Sequence, residues 1–244
     1  MVYLQNMAGK EIFARTELLL GPEAMEKLAS ARVLVFGVGG VGSWCAEGLI
    51  RTGVGHLTIV DSDEVCASNI NRQLMATTDT VGLPKVEVLR SRLLEINHEA
   101  DITALHKPFN EDTAGDFDLD AFDVVIDAID TLKNKILLIL KATSSKAEFF
   151  SSMGAALKVD PTLIRVTDFW DVREDPLARM LRKRIRQGKV LPEKPFKVVW
   201  SPELLENKGT CETRTNGTTV AVTAAFGFTL TSLATRFICL KHSS

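Results

Sequence analysis

The sequence predicts an α/β fold, with a doubly wound, mostly parallel sheet followed by an antiparallel C-terminal extension. Three observations predict it. Short apolar runs alternate with helical periodicity from Arg32 to Met153. Asp123–Ala128 (DVVIDA) is apolar enough to be a central strand of a parallel sheet. Beyond Met153 the alternation stops, and short strand-like pieces flank turn residues.

The stretch Arg32–Asp61 (RVLVFGVGGVGSWCAEGLIRTGVGHLTIVD) organises the chain. Val33–Phe36 is an apolar run, and Gly37, Gly39 and Gly42 follow in G-x-G-x-x-G spacing. A helical pattern leads to a second apolar run that ends at Asp61. Strand, glycine turn, helix, strand and acid in that order make a Rossmann-like nucleotide unit. Glycines let the backbone approach a phosphate, and the N–H groups that open the helix favour negative charge. An acid at the end of the second strand can hydrogen-bond a ribose hydroxyl. Nicotinamide and flavin proteins use the same motif, so it does not name the nucleotide.

The other elements follow in order. Residues 1–10 are expected to be frayed. Arg15–Gly21 leads into a helix over Pro22–Leu28, with Pro at its first position. Ser62–Thr80 is a long polar loop, and such loops inside α/β domains are usually functional. Pro84 and Lys85 open a helix with apolar residues at Val86, Leu89, Leu93 and Ile96. Asp101–Leu105 is the third strand, Asp123–Ala128 the fourth and Phe149–Met153 the fifth, with a helix from about Thr131 to Ser145. Leu157–Val159 and Leu163–Thr167 flank Asp160-Pro161-Thr162 as an antiparallel hairpin. Asp175–Gln187 is a helix and Lys197–Trp200 a short strand. Thr215–Thr235 carries no charge but seven threonines, too polar for a spanning helix. It reads as a buried helix of the domain or of a dimer interface, so no membrane association is expected. The whole of 1–244 reads as one domain, with a core over about 30–155 and a substrate-binding, dimer-supporting extension over about 156–244.

Composition is that of an ordinary soluble protein: 45% hydrophobic, 25% charged and net charge −2. Any nucleic-acid contact must therefore come from a local patch. Cys45, Cys66, Cys211 and Cys239 form no C-x-x-C pair, which argues against a disulfide framework or a cysteine-rich zinc site. With no signal-peptide pattern at the N-terminus, a reduced, cytoplasmic setting is expected.

Gly39, Asp61 and Asp130 all fall at strand carboxyl ends and can converge on one crevice. Arg72 and Lys85 lie beyond the acid-ended strand, and a loop folded back over the crevice would bring both cations to a triphosphate. Asp130 is a candidate Mg²⁺ ligand, since that ion takes few carboxylates plus phosphate oxygens. At 100° per residue, Leu177, Met180, Leu181 and Ile185 share one helix face and Arg179, Arg182, Lys183 and Arg186 the opposite one. A basic stripe backed by an apolar one suits a phosphate backbone, and Arg173, Lys189, Lys194 and Lys197 extend the patch. The alternative is a solvated face.

An ordered set of motifs now carries a resemblance: RVLVFGVGGVG, Asp61-Ser62-Asp63, Ser68–Gln73, Val81–Lys85 and Asp127–Asp130. Together they resemble the adenylating superfamily of ubiquitin-activating enzymes and their bacterial relatives. The resemblance implies ATP, Mg²⁺ and the adenylation of a carboxylate. It puts Gly39 and Gly40 at the phosphates and Asp61 at the ribose, in a cofactor site that also includes Gly37, Gly42 and Asp63. It puts Asn69, Arg72 and Lys85 on the triphosphate and Asp130 on the metal. Arg15 matches an arginine that reaches in from the other subunit of a homodimer. FARTELLLG, VGSWCAEGL, RTGVGHLTIVD, SNINRQL, VTDFWDVREDPLARMLRKRIR and Thr223–Phe228 further resemble the tRNA threonylcarbamoyladenosine dehydratases. That implies ATP-dependent cyclisation of this nucleoside beside the tRNA anticodon. It also implies a cysteine-desulfurase or other sulfur-transfer partner, and a monovalent cation whose ligands are not legible. Three rival readings stay open: adenylation of a ubiquitin-like sulfur carrier, a nucleotide-binding scaffold without turnover, and a nicotinamide oxidoreductase. Cys45 is expected in the core, and Cys211 lies in a polar loop with no nucleophile motif.

Overall fold

The computed structural model describes residues 11–209 and 215–240, so the expectations for 1–10 and Cys211 lie outside the described residues. The glycine unit folds as β1 (Arg32–Phe36), α3 (Gly42–Thr52) and β2 (His56–Val60), preceded by α1 (Ala14–Leu20) and α2 (Pro22–Ser30). β1 pairs in parallel with β2 on one side and with β4 (Val124–Asp127) on the other. β3 (Asp101–Leu105) extends the sheet beyond β2, and β5 (Glu148–Ser152) extends it beyond β4. β7 (Lys197–Trp200) is parallel to β5, and β6 (Arg165–Asp168) closes the edge antiparallel to β7. The seven strands run in the order β3-β2-β1-β4-β5-β7-β6. One sheet thus includes strands from both sides of residue 155.

Helices cover both faces because the central strands have no polar face to leave in water. On one side α2, α3, α4 (Lys85–Ile96) and α7 (Val220–Leu240) bury Leu28, Leu49, Leu89 and Phe226 against Val33, Val35 and Ile126. On the other, α5 (Leu132–Ser144) and α6 (Pro176–Gly188) bury Leu138, Ile139, Leu181 and Ile185 against Leu34, Phe36 and Val125.

Three expectations need correction. Residues 157–167 are not a hairpin: the Val159 and Asp160 N–H groups both donate to the Glu203 carboxylate (2.9 Å each), so they cannot join a strand ladder. Asp160 then accepts from Thr162 N (2.8 Å) and caps a 3-10 turn at Pro161–Leu163. β6 finds its partner in β7 instead. The last helix starts at Val220 rather than near Thr215, because the preceding backbone is committed elsewhere. The Gly217 carbonyl accepts from Leu157 N (2.8 Å), and the Thr218 carbonyl accepts from Asn71 Nδ2 (3.1 Å). Met180 is exposed on α6, and Ala178 takes the buried place expected for it.

α7 has 21 residues and is long and apolar enough to cross a membrane by length and composition alone. Its buried residues Val222, Phe226, Leu230, Ala234 and Ile238 recur at every fourth position and join the core beside α3. Thr231 Oγ1 donates to the Cys45 carbonyl (3.1 Å), and Phe228 meets Trp44 edge to face at 5.9 Å. Of the two places expected for the uncharged segment, these contacts put one face of the helix in the core of the domain.

Candidate active site at the strand carboxyl ends

A cavity of about 490 Å³ opens beyond the carboxyl ends of β1, β2, β4 and β5. β1 and β4 are the neighbours at which the winding of the sheet reverses, the place where open α/β sheets bind ligands. Gly37 turns the chain there with φ +83°, and a Cβ on it would lie 2.7 Å from the Ala128 carbonyl oxygen. A Cβ on Gly42 would lie 1.8 Å from the Gly37 carbonyl oxygen. Both positions therefore require glycine for the turn to close at all. Gly37, Gly39 and Gly40 line the cavity. Gly42 sits behind the wall as the first residue of α3, folded back onto Gly37.

Asp61 follows β2 and lines the cavity. Its Oδ2 accepts from Val38 N (2.8 Å) and its Oδ1 from Asp63 N (2.9 Å). The carboxylate is held by two backbone N–H groups, with lone pairs left for a hydroxyl donor. Asp63 pairs with Lys85, Nζ to Oδ2 2.7 Å, and Lys85 is buried at the start of α4. Both line the cavity, so Lys85 presents its charge on a side chain that cannot swing away.

The long loop folds back over the crevice as expected. Its 3-10 turn, Ala67–Asn69, is capped by Asn69, whose Oδ1 accepts from Cys66 N (3.0 Å). That commitment keeps Asn69 buried and off the cavity wall, so it acts in this structure as a positioning residue. Its carbonyl accepts from Arg72 N (3.0 Å) and Gln73 N (2.9 Å), which sets both side chains at the wall. Arg72 Nη1 donates to the Ser68 carbonyl (2.8 Å) and to Asn71 Oδ1 (2.9 Å). A guanidinium has five N–H donors, so most remain for an anion.

Asp130 lines the opposite wall and is exposed. Its one described hydrogen bond is from Thr131 Oγ1 at 3.3 Å. Beneath it, Lys135 and Asp127 form an ion pair with both side chains fully buried, Nζ to Oδ2 2.8 Å. Asp127 also accepts from Ser151 Oγ (2.7 Å) and Ile129 N (3.0 Å), and Lys135 donates to the Ile129 carbonyl (2.8 Å). This network ties the loop that carries Asp130 to β4, β5 and α5.

Arg15 is exposed on α1 and is not part of this chain's cavity wall. Sequence reasoning missed Gln73, Lys107 and Asn134, all on the wall, and the neutral end formed by Ser152–Ala156, Thr215, Asn216, Thr218 and Thr223. Lys107 sits there in an ion pair with Asp116. These residues lie in irregular segments or carry no charge, so periodicity and charge spacing gave no signal for them. Lys135 had one: a lysine directly before the apolar run Ile136–Leu140.

On α6, Asp175 caps the helix by accepting from Ala178 N (2.8 Å). Burial pushes the Asp175 carboxyl up despite that bond. Arg179, Lys183 and Arg186 are exposed, whereas Arg182 is half-buried and donates to the Phe169 carbonyl (3.1 Å). Burial first, and the nearby Arg186 charge second, push the Arg182 guanidinium down from its usual range. Arg186 lies over the Trp170 ring at 5.2 Å. Two of the supplementary cations are committed: Lys197 to Asp168 (3.1 Å), and Lys194 to the Ser145 (2.9 Å) and Ala147 (2.5 Å) carbonyls.

Cys45 is fully buried, and burial pushes its thiol up to about 12. At pH 8 its thiolate fraction is about one in ten thousand. Maleimide at that pH should label exposed Cys66 in the folded protein and leave Cys45 untouched until urea is added. Labelling of Cys45 in native protein, read by peptide mass spectrometry, would show that the core around α3 opens.

The model of the ThiF family matches residues 13–242. The chain is 41% identical to the tRNA threonylcarbamoyladenosine dehydratase of Bacillus subtilis (strain 168), over 78% of this chain and 74% of that one. Its fold superposes on the crystal structure of E. coli tRNA N6-threonylcarbamoyladenosine dehydratase in complex with ATP, with a TM-score of 0.87 and 36% identity over 95% of each chain. The AMP complex of the same E. coli enzyme gives a TM-score of 0.86, at the same identity and coverage. A family model that spans nearly every described residue, on a chain built around the glycine turn and cavity described above, means that the protein belongs to the ThiF family.

Proposed function

We propose that this protein is a cytoplasmic, ATP-dependent tRNA threonylcarbamoyladenosine dehydratase, and that it closes the threonylcarbamoyl side chain into a ring through an acyl-adenylate. The observation that carries the reading is the convergence of Gly39, Gly40, Asp61, Arg72, Lys85 and Asp130 on one cavity. The two named relatives and the ATP complex of one of them support it.

A carboxylate is a poor acylating group, because oxide or hydroxide would have to leave. In this cavity the threonyl carboxylate attacks the α-phosphate of ATP, forms a mixed anhydride with AMP and releases pyrophosphate. Arg72 and Lys85 face the triphosphate and offset the charge that grows on the departing pyrophosphate. The glycine-turn N–H groups take the phosphates and Asp61 the ribose hydroxyls. Among the described residues no cluster of three or more acids, histidines or cysteines forms a metal cage. One exposed, sparsely bonded carboxylate beside a phosphate site instead fits Mg²⁺, which takes most of its ligands from phosphate and water. Asp130 would hold that ion, which would further neutralise the leaving group. A nitrogen or oxygen of the same side chain then attacks the activated carbonyl and expels AMP. Ring closure within one group has a high effective molarity, so no cysteine nucleophile is needed.

Two parts of the assembly belong to the same proposal. α1 has no buried residue, and Leu18 and Leu19 are 87% and 82% exposed. A homodimer that covers this face and delivers Arg15 to the partner's cavity accounts for both. The tRNA backbone runs along α6 on Arg179, Lys183 and Arg186. Reversing charge at Arg179 and Lys183 together should weaken tRNA binding at least tenfold, lower the salt slope by roughly two and leave ATP affinity unchanged. Filter binding across a salt series reads all three. Unchanged RNA affinity would make α6 a solvated face.

The deciding experiment is mass spectrometry of tRNA nucleosides after incubation with protein, ATP and Mg²⁺. Conversion of threonylcarbamoyladenosine to a product lighter by one water is expected. No conversion, with pyrophosphate exchange driven by a ubiquitin-like C-terminus instead, would move the assignment to sulfur-carrier activation.

A further inference from the structure

Among the described residues, two polar side chains on the cavity wall have buried atoms with no hydrogen-bond partner: Gln73, through Oε1, and Thr218, through Oγ1. Gln73 is 6% exposed. Its carboxamide lies against the glycine turn, with Nε2 3.7 Å from where a Cβ on Gly39 would be. Thr218 precedes α7 at the neutral end of the cavity, beside Asn216 and Thr223. The two segments are tied together, since Asn71, two residues before Gln73, donates to the Thr218 carbonyl. A buried polar group without a partner is costly, and native proteins retain few of them.

Phosphate does not answer this need at Gln73. Its oxygens only accept, whereas the unpartnered Gln73 Oε1 is itself an acceptor and needs a donor. The cationic end already supplies Arg72 and Lys85 for phosphate. A urea linkage carries N–H donors and a carbonyl acceptor in one plane, and pairs with a carboxamide whichever way the amide is turned. On the reading under Proposed function, the substrate has such a linkage next to the carboxylate that must be activated. We infer that Gln73 and Thr218 form the subsite for the threonylcarbamoyl group, Gln73 pairing with its urea and Thr218 with its hydroxyl. The subsite orients the carboxylate towards the α-phosphate and rejects side chains that lack the urea.

The test uses Gln73→Met and Thr218→Val in the full-length protein. The readouts are ATP affinity by calorimetry, thermal midpoint, and kcat/KM for tRNA that carries threonylcarbamoyladenosine. Each variant should lose about tenfold or more in kcat/KM, the size expected for a hydrogen bond made to substrate. ATP affinity should stay within twofold, and the midpoint should hold or rise, because no internal hydrogen bond is lost. A merely structural role would lower the midpoint. Thr218→Val carries the test on its own if Gln73→Met fails to fold. If wild-type protein turns over modified tRNA and the variants do so equally well, or if ATP affinity falls in step with turnover, the subsite is wrong and the function stands. If wild-type protein is inert on modified tRNA, the function fails and takes the subsite with it.

Discussion

Asp130→Ala should lower AMP formation with modified tRNA by about a thousandfold or more and leave the protein folded. A single preorganised electrostatic contact to a developing charge is worth about 10²–10³ in rate, and on the proposed function Asp130 would hold the ion that makes such contacts. The fold should not notice the change. Asp130 is exposed, and the one bond it would lose is a 3.3 Å contact with Thr131. Excess Mg²⁺ should restore part of the rate, because a weakened site refills by mass action. The assay is AMP release with a matched thermal melt. Wild-type turnover in this variant would remove Asp130 from the site.

Lys135→Ala should destabilise the protein by about 3–5 kcal/mol, the usual cost of leaving one member of a buried ion pair without its partner. Both side chains of the Lys135–Asp127 pair are fully buried, and Asp127 keeps only Ser151 Oγ and Ile129 N as donors. Lys135→Met with Asp127→Leu should recover much of that loss, since apolar replacements of a buried pair are often neutral or better. Activity should not recover with stability, because the Ala128–Thr131 loop that carries Asp130 would have lost its tether. Urea unfolding of the single and double variants, with AMP release from each, separates the two effects. An unfolding midpoint for Lys135→Ala equal to wild type would mean the pair is not formed.

The parallel half of the fold was legible because its strands are short, apolar and separated by amphipathic helices. Asp101–Leu105 and Lys197–Trp200 match the structure residue for residue. The extension was harder to read. Leu157–Val159 has strand-like residues, but Glu203, more than forty positions away, takes the Val159 and Asp160 N–H groups, and the Gly217 carbonyl takes that of Leu157. No local pattern shows such a competitor. The charged part of the site was readable because phosphate chemistry calls for glycine, arginine, lysine and aspartate, and these fall at strand ends. Asn69 belongs to a legible motif, yet it serves the loop rather than the wall. Met180 misled because helical phase alone cannot tell a residue at the margin of the buried stripe from one inside it. Gln73 and the neutral end were invisible because glutamine, threonine and asparagine at Gln73, Thr218 and Asn216 resemble ordinary loop residues until their place on the cavity is known.

If the substrate carboxylate becomes an adenylate in this cavity, the oxygen it loses ends on AMP. With both carboxylate oxygens of the threonylcarbamoyl group labelled with ¹⁸O, one label should appear in the phosphate of AMP and none in pyrophosphate or in solvent water. Label in inorganic phosphate, with ADP as co-product, or AMP without label, would mean that no acyl-adenylate forms.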